Sequence, residues 1–347
     1  VADDFCFYRH TSHDIFLIIW VDDILICFPK SKADATKKIL DTLKTNFKVH
    51  VLGPVTDLLG VNINRDRSRR IITLDQSQAV KGILEKAGMA DCNVSPTPLP
   101  LNAKFTKADC PLTAYEQEDL RDEAKWYRSN LACCIYLQLW SRVDIAFAVS
   151  KLSKFMHNPG AKHVSYLKHL LRYLKGSASR KLVYDFSSQA PRSGVYGYYD
   201  AAHADDIDTR RSTMAYVFFF HGCAISWKSK LHTYVTTSTN HSEYVASAKA
   251  AREAKWLWKI FTHLGLRQDV SPIALFSDSR GAIALNYNPV HYEANKHVDL
   301  ADHYAREQVQ RGIITITHVP TVDMVADVLT KVLPTRQYLR LINTFTS

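Results

Sequence analysis

The sequence predicts a mixed α/β protein of the α+β kind, divided into more than one domain. The last third of the chain reads as strands and helices in the order β-β-β-α-β-α-β-α, and the first part reads as apolar hairpins interrupted by amphipathic helices. The chain has 347 residues, enough for two or three domains. Its 46% hydrophobic and 22% charged residues are typical of globular proteins.

Composition disfavours some classes of partner and site and favours others. No apolar run reaches the roughly 18 residues that a membrane-spanning helix needs, so no membrane partner is expected. The seven cysteines are scattered and contain no CxxC pair, which disfavours structural zinc and a disulfide framework and fits a reducing compartment. The net charge of +10 favours a polyanionic partner. Because the chain starts at Val1 and its first methionine is Met89, we interpret it as part of a longer polypeptide.

Two adjacent acids interrupt the first predicted hairpins. Cys6–Tyr8 and Ile15–Val21 are expected to be strands, and Asp22-Asp23 separates the second from another apolar run at Ile24–Phe28. Buried acids side by side are costly without a cation or a partner. The alternative is an exposed turn, where Asp is common.

The middle of the chain is predicted to alternate helices and strands around a linker. Lys30–Lys48 shows an amphipathic stripe, and VHVLGPVTDLLGVNI and IITLDQSQAVKGILEKAGM predict a strand pair and then a strand and a helix. Pro96–Pro111 contains four of the twelve prolines and predicts a linker. WYRSNLACCIYLQLW predicts a strongly apolar helix after it.

A basic run occupies Lys151–Lys181. No Asp or Glu lies between Asp144 and Asp185, whereas a solvated helix face usually mixes both signs. The run therefore indicates phosphate contacts along a duplex, and a plain solvated face is the alternative. The candidate nucleic-acid-binding residues are Lys151, Lys154, Lys162, Lys168, Arg172 and Lys175.

The last third places carboxylates at strand ends. Val195–Tyr199 predicts a strand that Asp200 closes, and Ile273–Ser277 predicts a strand with Asp278 at its tip. Between them, two predicted strands form a hairpin at His221-Gly222. In α/β sheets, polar residues act at strand ends where several loops converge.

Two further carboxylates belong to helices. Glu243 lies in the first turn of a helix expected to be capped at Thr239-Asn240, and Asp327 lies in a segment that turns helical after Thr321. A single carboxylate of this kind is usually a cap or a surface charge. Four in this order indicate a cluster, whose repulsion a divalent cation such as Mg²⁺ would relieve.

The motifs in this region resemble a known family. YYDAAHADDIDTRRSTMAYVFFFHGCAISWKSK, TSTNHSEYVA, FSDSRGAI, NKHVDLADHYAREQV and VADVLTK follow one another over about 140 residues. They resemble the ribonuclease H domain of copia-type (Ty1/copia) retrotransposon polyproteins. The sequence departs from the family at Ala202 and His203, where an Asp and a Trp are usual, and at His241, where a Glu is usual.

The upstream part resembles the reverse transcriptase of the same family. FLIIWVDDILI is similar to the palm hairpin YVDD, with Trp20 in the place of Tyr, which implies Asp22 as a metal-binding carboxylate and Asp23 as its partner. SPTPL and the segment around Arg142-Val143-Asp144-Ile145 also match, with Val143 replacing the usual Pro. The upstream palm Asp and the fingers cannot fit before Trp20, so polymerase activity is not expected of this segment.

The resemblance implies four regions. Residues 1–95 correspond to the C-terminal part of the palm and thumb, 96–190 to a linker and connection region, 191–335 to a ribonuclease H-like domain, and 336–347 to a C-terminal tail. The isolated segment from about Arg192 to Ser347 is expected to fold and to bind Mg²⁺.

The resemblance also implies an activity, which is hydrolysis of the RNA strand of RNA–DNA hybrids. Asp200, Glu243, Asp278 and Asp327 would hold two Mg²⁺ ions, with Mn²⁺ as a substitute, and His297 would position a phosphate or cap a helix. The implied partners are a hybrid or duplex and an upstream half of the reverse transcriptase. The implied location is cytoplasmic virus-like particles, or the nucleus.

Two alternatives remain at this point. One is a catalytically silent transposon remnant that only binds nucleic acid, favoured by the missing fingers, Val143 and the altered residues around Asp200. The other is an integrase on the same fold. Integrases use three carboxylates, and Glu243 in the helix after the third strand argues against them.

Overall fold

The computed structural model describes residues 7–10, 14–187, 194–266, 271–288 and 303–345. These residues form three β-sheets and intervening helices, which confirms the predicted mixed α+β class. None of the described helices combines the length and apolarity that a membrane crossing requires.

The first sheet is an antiparallel meander that presents the two adjacent acids at a turn. Trp20 pairs with Asp23 across the last two strands, so Val21 and Asp22 form the tight connection. A helix follows the sheet. The elements are β1 (Phe7–His10), β2 (Ile15–Trp20), β3 (Asp23–Cys27) and α1 (Ala33–Asn46).

The second sheet joins two parts of the chain that are far apart in sequence. Its fourth strand pairs antiparallel with its third, so that Ile71 lies opposite Asp185. The predicted thumb and connection regions therefore share one sheet. The elements are β4 (Asp57–Leu58), β5 (Val61–Asp66), β6 (Ile71–Asp75), α2 (Ser77–Lys86) and β7 (Leu182–Asp185).

Helices between β6 and β7 build the centre of the main core. Leu131, Leu137, Leu152 and Leu167 on these helices are fully buried. A buried ion pair lies beside them: Arg142 donates to Asp144 from Nε at 2.9 Å and from its terminal nitrogen at 2.7 Å. The helices are α3 (Ala114–Asp119), α4 (Arg121–Trp140), α5 (Ala146–Ser153) and α6 (Ala161–Gly176).

The third sheet has the strand order β10-β9-β8-β11-β12. Its first three strands in sequence pair antiparallel, and β11 runs parallel to both β8 and β12. The strands are β8 (Val195–Ala202), β9 (Thr213–Phe220), β10 (Cys223–Leu231), β11 (Ile273–Ser277) and β12 (Ile314–His318). The helices are α7 (Thr239–His263), α8 (Arg280–Tyr287), α9 (Tyr304–Gln310) and α10 (Thr335–Ile342).

The C-terminal helix packs into the core. The Tyr338 hydroxyl lies 3.1 Å from the carbonyl oxygen of Asp144 and 3.0 Å from the hydroxyl of Tyr173. Phe345 is fully buried. The described part of the segment interpreted as a tail, residues 336–345, is therefore anchored on α6 and on the turn that precedes α5.

Candidate active site

The topology of the third sheet brings the predicted carboxylates to one end. Asp200 lies near the end of β8, two residues before the strand finishes, and Asp278 follows β11 directly. Because β8 and β11 are parallel neighbours, their carboxyl ends meet at the same edge. Glu243 approaches from the first turns of α7, whose N-cap is Ser238 rather than the expected Thr239-Asn240.

Three of the four carboxylates converge. One carboxylate oxygen each from Asp200, Glu243 and Asp278 lies within 4.8 Å of the others. Asp200 is 1% exposed and Glu243 4%. Burial, together with the charges of Asp200 and Asp278, raises the pKa of Glu243 well above its usual value.

Two oxygens in this cluster lack hydrogen bonds. Asp200 Oδ1 and Glu243 Oε2 are buried and have no hydrogen-bond partner among the described residues. A buried acceptor without a partner costs free energy. The cluster therefore has both the charge and the open ligand positions that a divalent cation would satisfy.

Asp278 is the more accessible member of the cluster. It is only half-buried, and its Oδ2 accepts a hydrogen bond from the Thr321 hydroxyl at 2.7 Å. This contact fixes the Asp278 carboxylate from the segment that follows β12. The solvent-facing side of the cluster is thus formed by Asp278.

Asp327 is placed differently from the other three. It lies in a 3-10 helix, Val325–Leu329, within the segment that the sequence predicted to turn helical after Thr321. Lys331 Nζ lies 2.7 Å from Asp327 Oδ1 and 3.3 Å from Asp200 Oδ2, so one cation joins the two carboxylates. The Thr330 hydroxyl also donates to Asp200 Oδ2.

The electrostatics of this group are coupled. Burial and the charge of Asp200 raise the pKa of Asp327 to about 6, although Lys331 opposes the shift. Burial lowers the pKa of Lys331, but Asp200 and Asp327 outweigh it and the net shift is upward. Sequence reasoning missed Lys331, and its spacing of four residues from Asp327 was the available signal.

The residues that depart from the family pattern are used in local hydrogen bonding. His203 Nδ1 lies 3.2 Å from Thr236 Oγ1, and His241 Nδ1 lies 3.0 Å from Thr237 Oγ1. Both contacts fix the loop between β10 and α7 beside the carboxylates. His297 lies outside the described residues.

Asp22 and Asp23 lie at an exposed turn. Both acids are exposed, and within the described ranges no third acid, histidine or cysteine joins them in a group of metal ligands. The neighbouring Trp20 ring packs edge-on against Trp140 at a centroid distance of 6.3 Å. The role of Asp22 and Asp23 as metal ligands stays a prediction.

Acids from other parts of the chain neutralise the first cations of the basic run, which the sequence showed without nearby acids. Lys151 Nζ lies 2.5 Å from Asp205 Oδ2, and Lys154 Nζ lies 2.5 Å from Asp206 Oδ2 and 2.8 Å from Asp208 Oδ2. The acids come from the connection between β8 and β9, more than 50 residues further along the chain. Lys151 and Lys154 therefore serve the fold.

The other cations of the run are divided. Lys162 pairs with Asp109 at 3.1 Å, and Lys175 Nζ donates to the Cys92 carbonyl oxygen at 2.7 Å. Lys162, Lys168 and Arg172 are exposed. The Lys168 ammonium lies 5.7 Å from the centroid of the Trp126 ring. Phosphate contacts by these exposed cations and by Lys175 stay a prediction.

Comparisons with known proteins place these features in a family. The family described as reverse transcriptase (RNA-dependent DNA polymerase) matches residues 4–101. The retrovirus-related Pol polyprotein from transposon TNT 1-94 of Nicotiana tabacum is 34% identical over 97% of this chain and 25% of that protein. The Pol polyprotein from transposon RE1 of Arabidopsis thaliana is 31% identical over 91% of this chain and 20% of that protein.

One solved structure is similar at lower sequence identity than these polyproteins. The foamy viral protease-reverse transcriptase in complex with an RNA/DNA hybrid has a TM-score of 0.35 and 13% identity, covering 88% of this chain and 41% of that one. This chain spans about a quarter or less of the polyproteins from TNT 1-94 and RE1. It belongs to the reverse-transcriptase-related Pol polyproteins of copia-type retrotransposons.

Proposed function

We propose that this chain hydrolyses the RNA strand of RNA–DNA hybrids in a Mg²⁺-dependent, ribonuclease H-type reaction. The observation that carries the proposal is the convergence of Asp200, Glu243 and Asp278 within 4.8 Å, at the end of a sheet with three antiparallel strands followed by parallel ones. The order β8, β9, β10, α7 and β11, with one of these three carboxylates on each of β8 and α7 and one after β11, follows the order read from the sequence.

The residues fit a hard cation. Asp200, Glu243 and Asp278, with Asp327 beside them, offer only oxygen ligands, which Mg²⁺ prefers and Mn²⁺ accepts. When bound, divalent ions neutralise the attacking and leaving oxygens of a phosphodiester and favour deprotonation of a water nucleophile.

The protein's own groups prepare this site. Glu243 retains a proton more readily than an ordinary Glu, because burial and two acidic neighbours penalise its charge. It must release that proton to act as a ligand. Lys331 holds Asp200 and Asp327 together, and the Thr330 hydroxyl fixes the orientation of Asp200. Thr321 does the same for Asp278.

Substitution of Asp278 by Asn tests the proposal. The change keeps the size and removes one charge at the accessible edge of the cluster. With a labelled hybrid and Mg²⁺, cleavage of the RNA strand should fall by orders of magnitude, because a misplaced cation forfeits several kcal/mol of transition-state stabilisation. Ca²⁺ should bind but support little cleavage, because it accepts looser geometry.

The control is an Asp→Asn substitution at an acid that belongs neither to the cluster nor to the core. Asp205 lies outside the cluster but is unsuitable, because it accepts hydrogen bonds from Lys151 Nζ and from the backbone nitrogen and hydroxyl of Thr213. Asp91 is exposed in a turn, so Asp91→Asn should keep full activity. Equal activity of wild type and Asp278→Asn would refute the assignment. A folded wild-type protein that binds the hybrid without cleaving it would favour the silent remnant.

A further inference from the structure

A basic groove lies on the third sheet, between β10 and α7. Its volume is about 500 Å³. One wall carries Lys228 and Lys230 of β10, and the other carries Lys249 and Arg252 of α7, with Trp256 further along the helix. None of these residues belongs to the carboxylate cluster or to the basic run 151–181.

Strand geometry explains why two of the cations face the groove. Lys228 and Lys230 are two residues apart, so their side chains leave the same face of β10. They lie opposite Tyr216 and Met214 of β9, which also line the groove. Both lysines are exposed, and within the described part of the chain no ion pair joins either ammonium group to an acid.

The acid that lines the groove is occupied by the sheet. Glu253 accepts a hydrogen bond from the Ser226 hydroxyl at 2.6 Å and from the Tyr216 hydroxyl at 3.1 Å, one on each carboxylate oxygen. These two neutral donors hold the Glu253 carboxylate in place. Four cations therefore line the groove together with this one acid.

We propose that this groove binds the sugar-phosphate backbone of a nucleic acid. Cations on two facing walls can neutralise successive phosphates of a nucleic-acid backbone that lies along the groove. Trp256 is 40% exposed and offers a flat ring beside the cations, a combination that nucleic-acid-binding grooves use for base stacking.

The basic run offers fewer cations to a polyanion than its sequence suggests. Lys151 and Lys154 are neutralised within the fold, so the first cations of the basic run are not available to phosphates. Lys228 and Lys230 carry no such pairing among the described residues. The inference shares the substrate class of the proposed function but concerns a surface outside the carboxylate cluster.

Salt-dependent binding of the whole chain tests the proposal. Anisotropy of a labelled RNA–DNA hybrid in Ca²⁺ gives the slope of log K against log salt without appreciable cleavage. The double variant Lys228→Ala/Lys230→Ala should flatten this slope by about 2 units, because each phosphate contact contributes roughly 0.9. Lys228→Arg/Lys230→Arg should keep the wild-type slope.

The matched control removes the same charge elsewhere. Lys81→Ala/Lys86→Ala replaces two exposed lysines of α2 and should leave the slope unchanged. An unchanged slope in the Lys228/Lys230 variant with an unchanged melting temperature would overturn the proposal, as would an equal decrease in the control. If the wild type cleaves the hybrid and the Lys228/Lys230 variant keeps the wild-type slope, only the proposal for the groove is overturned. If the wild type binds the hybrid but does not cleave it, only the proposed nuclease activity is overturned.

Discussion

Replacing Glu243 by Gln should stabilise the metal-free protein at pH 8 and remove most of the stabilisation that Mg²⁺ confers. Glu243 is buried between Asp200 and Asp278, and burial together with these two charges disfavours its ionised form and raises its pKa. Gln keeps the shape of the side chain but carries no charge. The variant therefore relieves the repulsion that a cation would otherwise relieve.

The separation of the carboxylates sets the magnitude. At 4.8 Å and an effective dielectric constant of about 20, two full charges repel by about 3.5 kcal/mol. Glu243 escapes part of this repulsion by taking up a proton, which costs about 1.36 kcal/mol for each pH unit above its pKa. We therefore expect a net gain of about 1–3 kcal/mol, or a rise in Tm of roughly 2–4 °C in EDTA.

Thermal unfolding with EDTA and with increasing Mg²⁺ measures both effects. At a tenfold excess over Kd, a bound ion should stabilise the wild type by about 1.4 kcal/mol. Glu253→Gln is the matched control, because Glu253 lies on the same helix and accepts from Tyr216 and Ser226 outside the cluster. Equal Mg²⁺ shifts in Glu243→Gln and wild type, or a lower stability of Glu243→Gln in EDTA, would refute the reasoning.

Three further outcomes are expected. Lys331→Met should lower the Tm in EDTA, because the buried carboxylates of Asp200 and Asp327 lose their shared cation, and Mg²⁺ should restore part of it; calorimetry in both conditions checks this. Since the pKa of Asp327 rises from 3.8 to about 6 on folding, its contribution to stability is complete below about pH 4 and is lost as pH rises through 6; Asp327→Asn should flatten the change in Tm over this range in EDTA. Arg142→Met should cost about 3–5 kcal/mol in urea unfolding, because Asp144 stays buried without its bidentate partner. An unchanged Tm profile or urea midpoint would contradict the respective prediction.

The carboxylate cluster could be predicted because it follows from local patterns. Asp200 and Asp278 end apolar runs whose lengths identify strands, and parallel neighbours bring such ends together. Glu243 follows a capping residue by a few positions, which places it in the first turns of α7. These relations need only periodicity and chain order.

The pairing of charges could not be predicted in the same way. Lys151 meets Asp205 only because the connection after β8 folds back onto α5, and no local pattern encodes that contact. An apparently unbalanced basic run therefore says little about its net charge in the folded chain. The contact of Lys331 with Asp200 was missed for the same reason, since it joins residues more than 100 positions apart, whereas its contact with Asp327 is local.

Side chains from different predicted regions pack against one another in the structure. Trp227 Nε1 of β10 donates to the Gln138 carbonyl oxygen of α4 at 2.8 Å, and the Tyr184 hydroxyl of β7 donates to the Ala224 carbonyl oxygen of β10 at 2.9 Å. Phe219 of β9 belongs to the same buried cluster as the leucines of α4 and α6. Resemblance marks where motifs begin and end, but a core forms wherever apolar faces meet. The third sheet completes its core with the helices that precede it, so the sheet that positions the carboxylates shares its buried face with α4, α5 and α6.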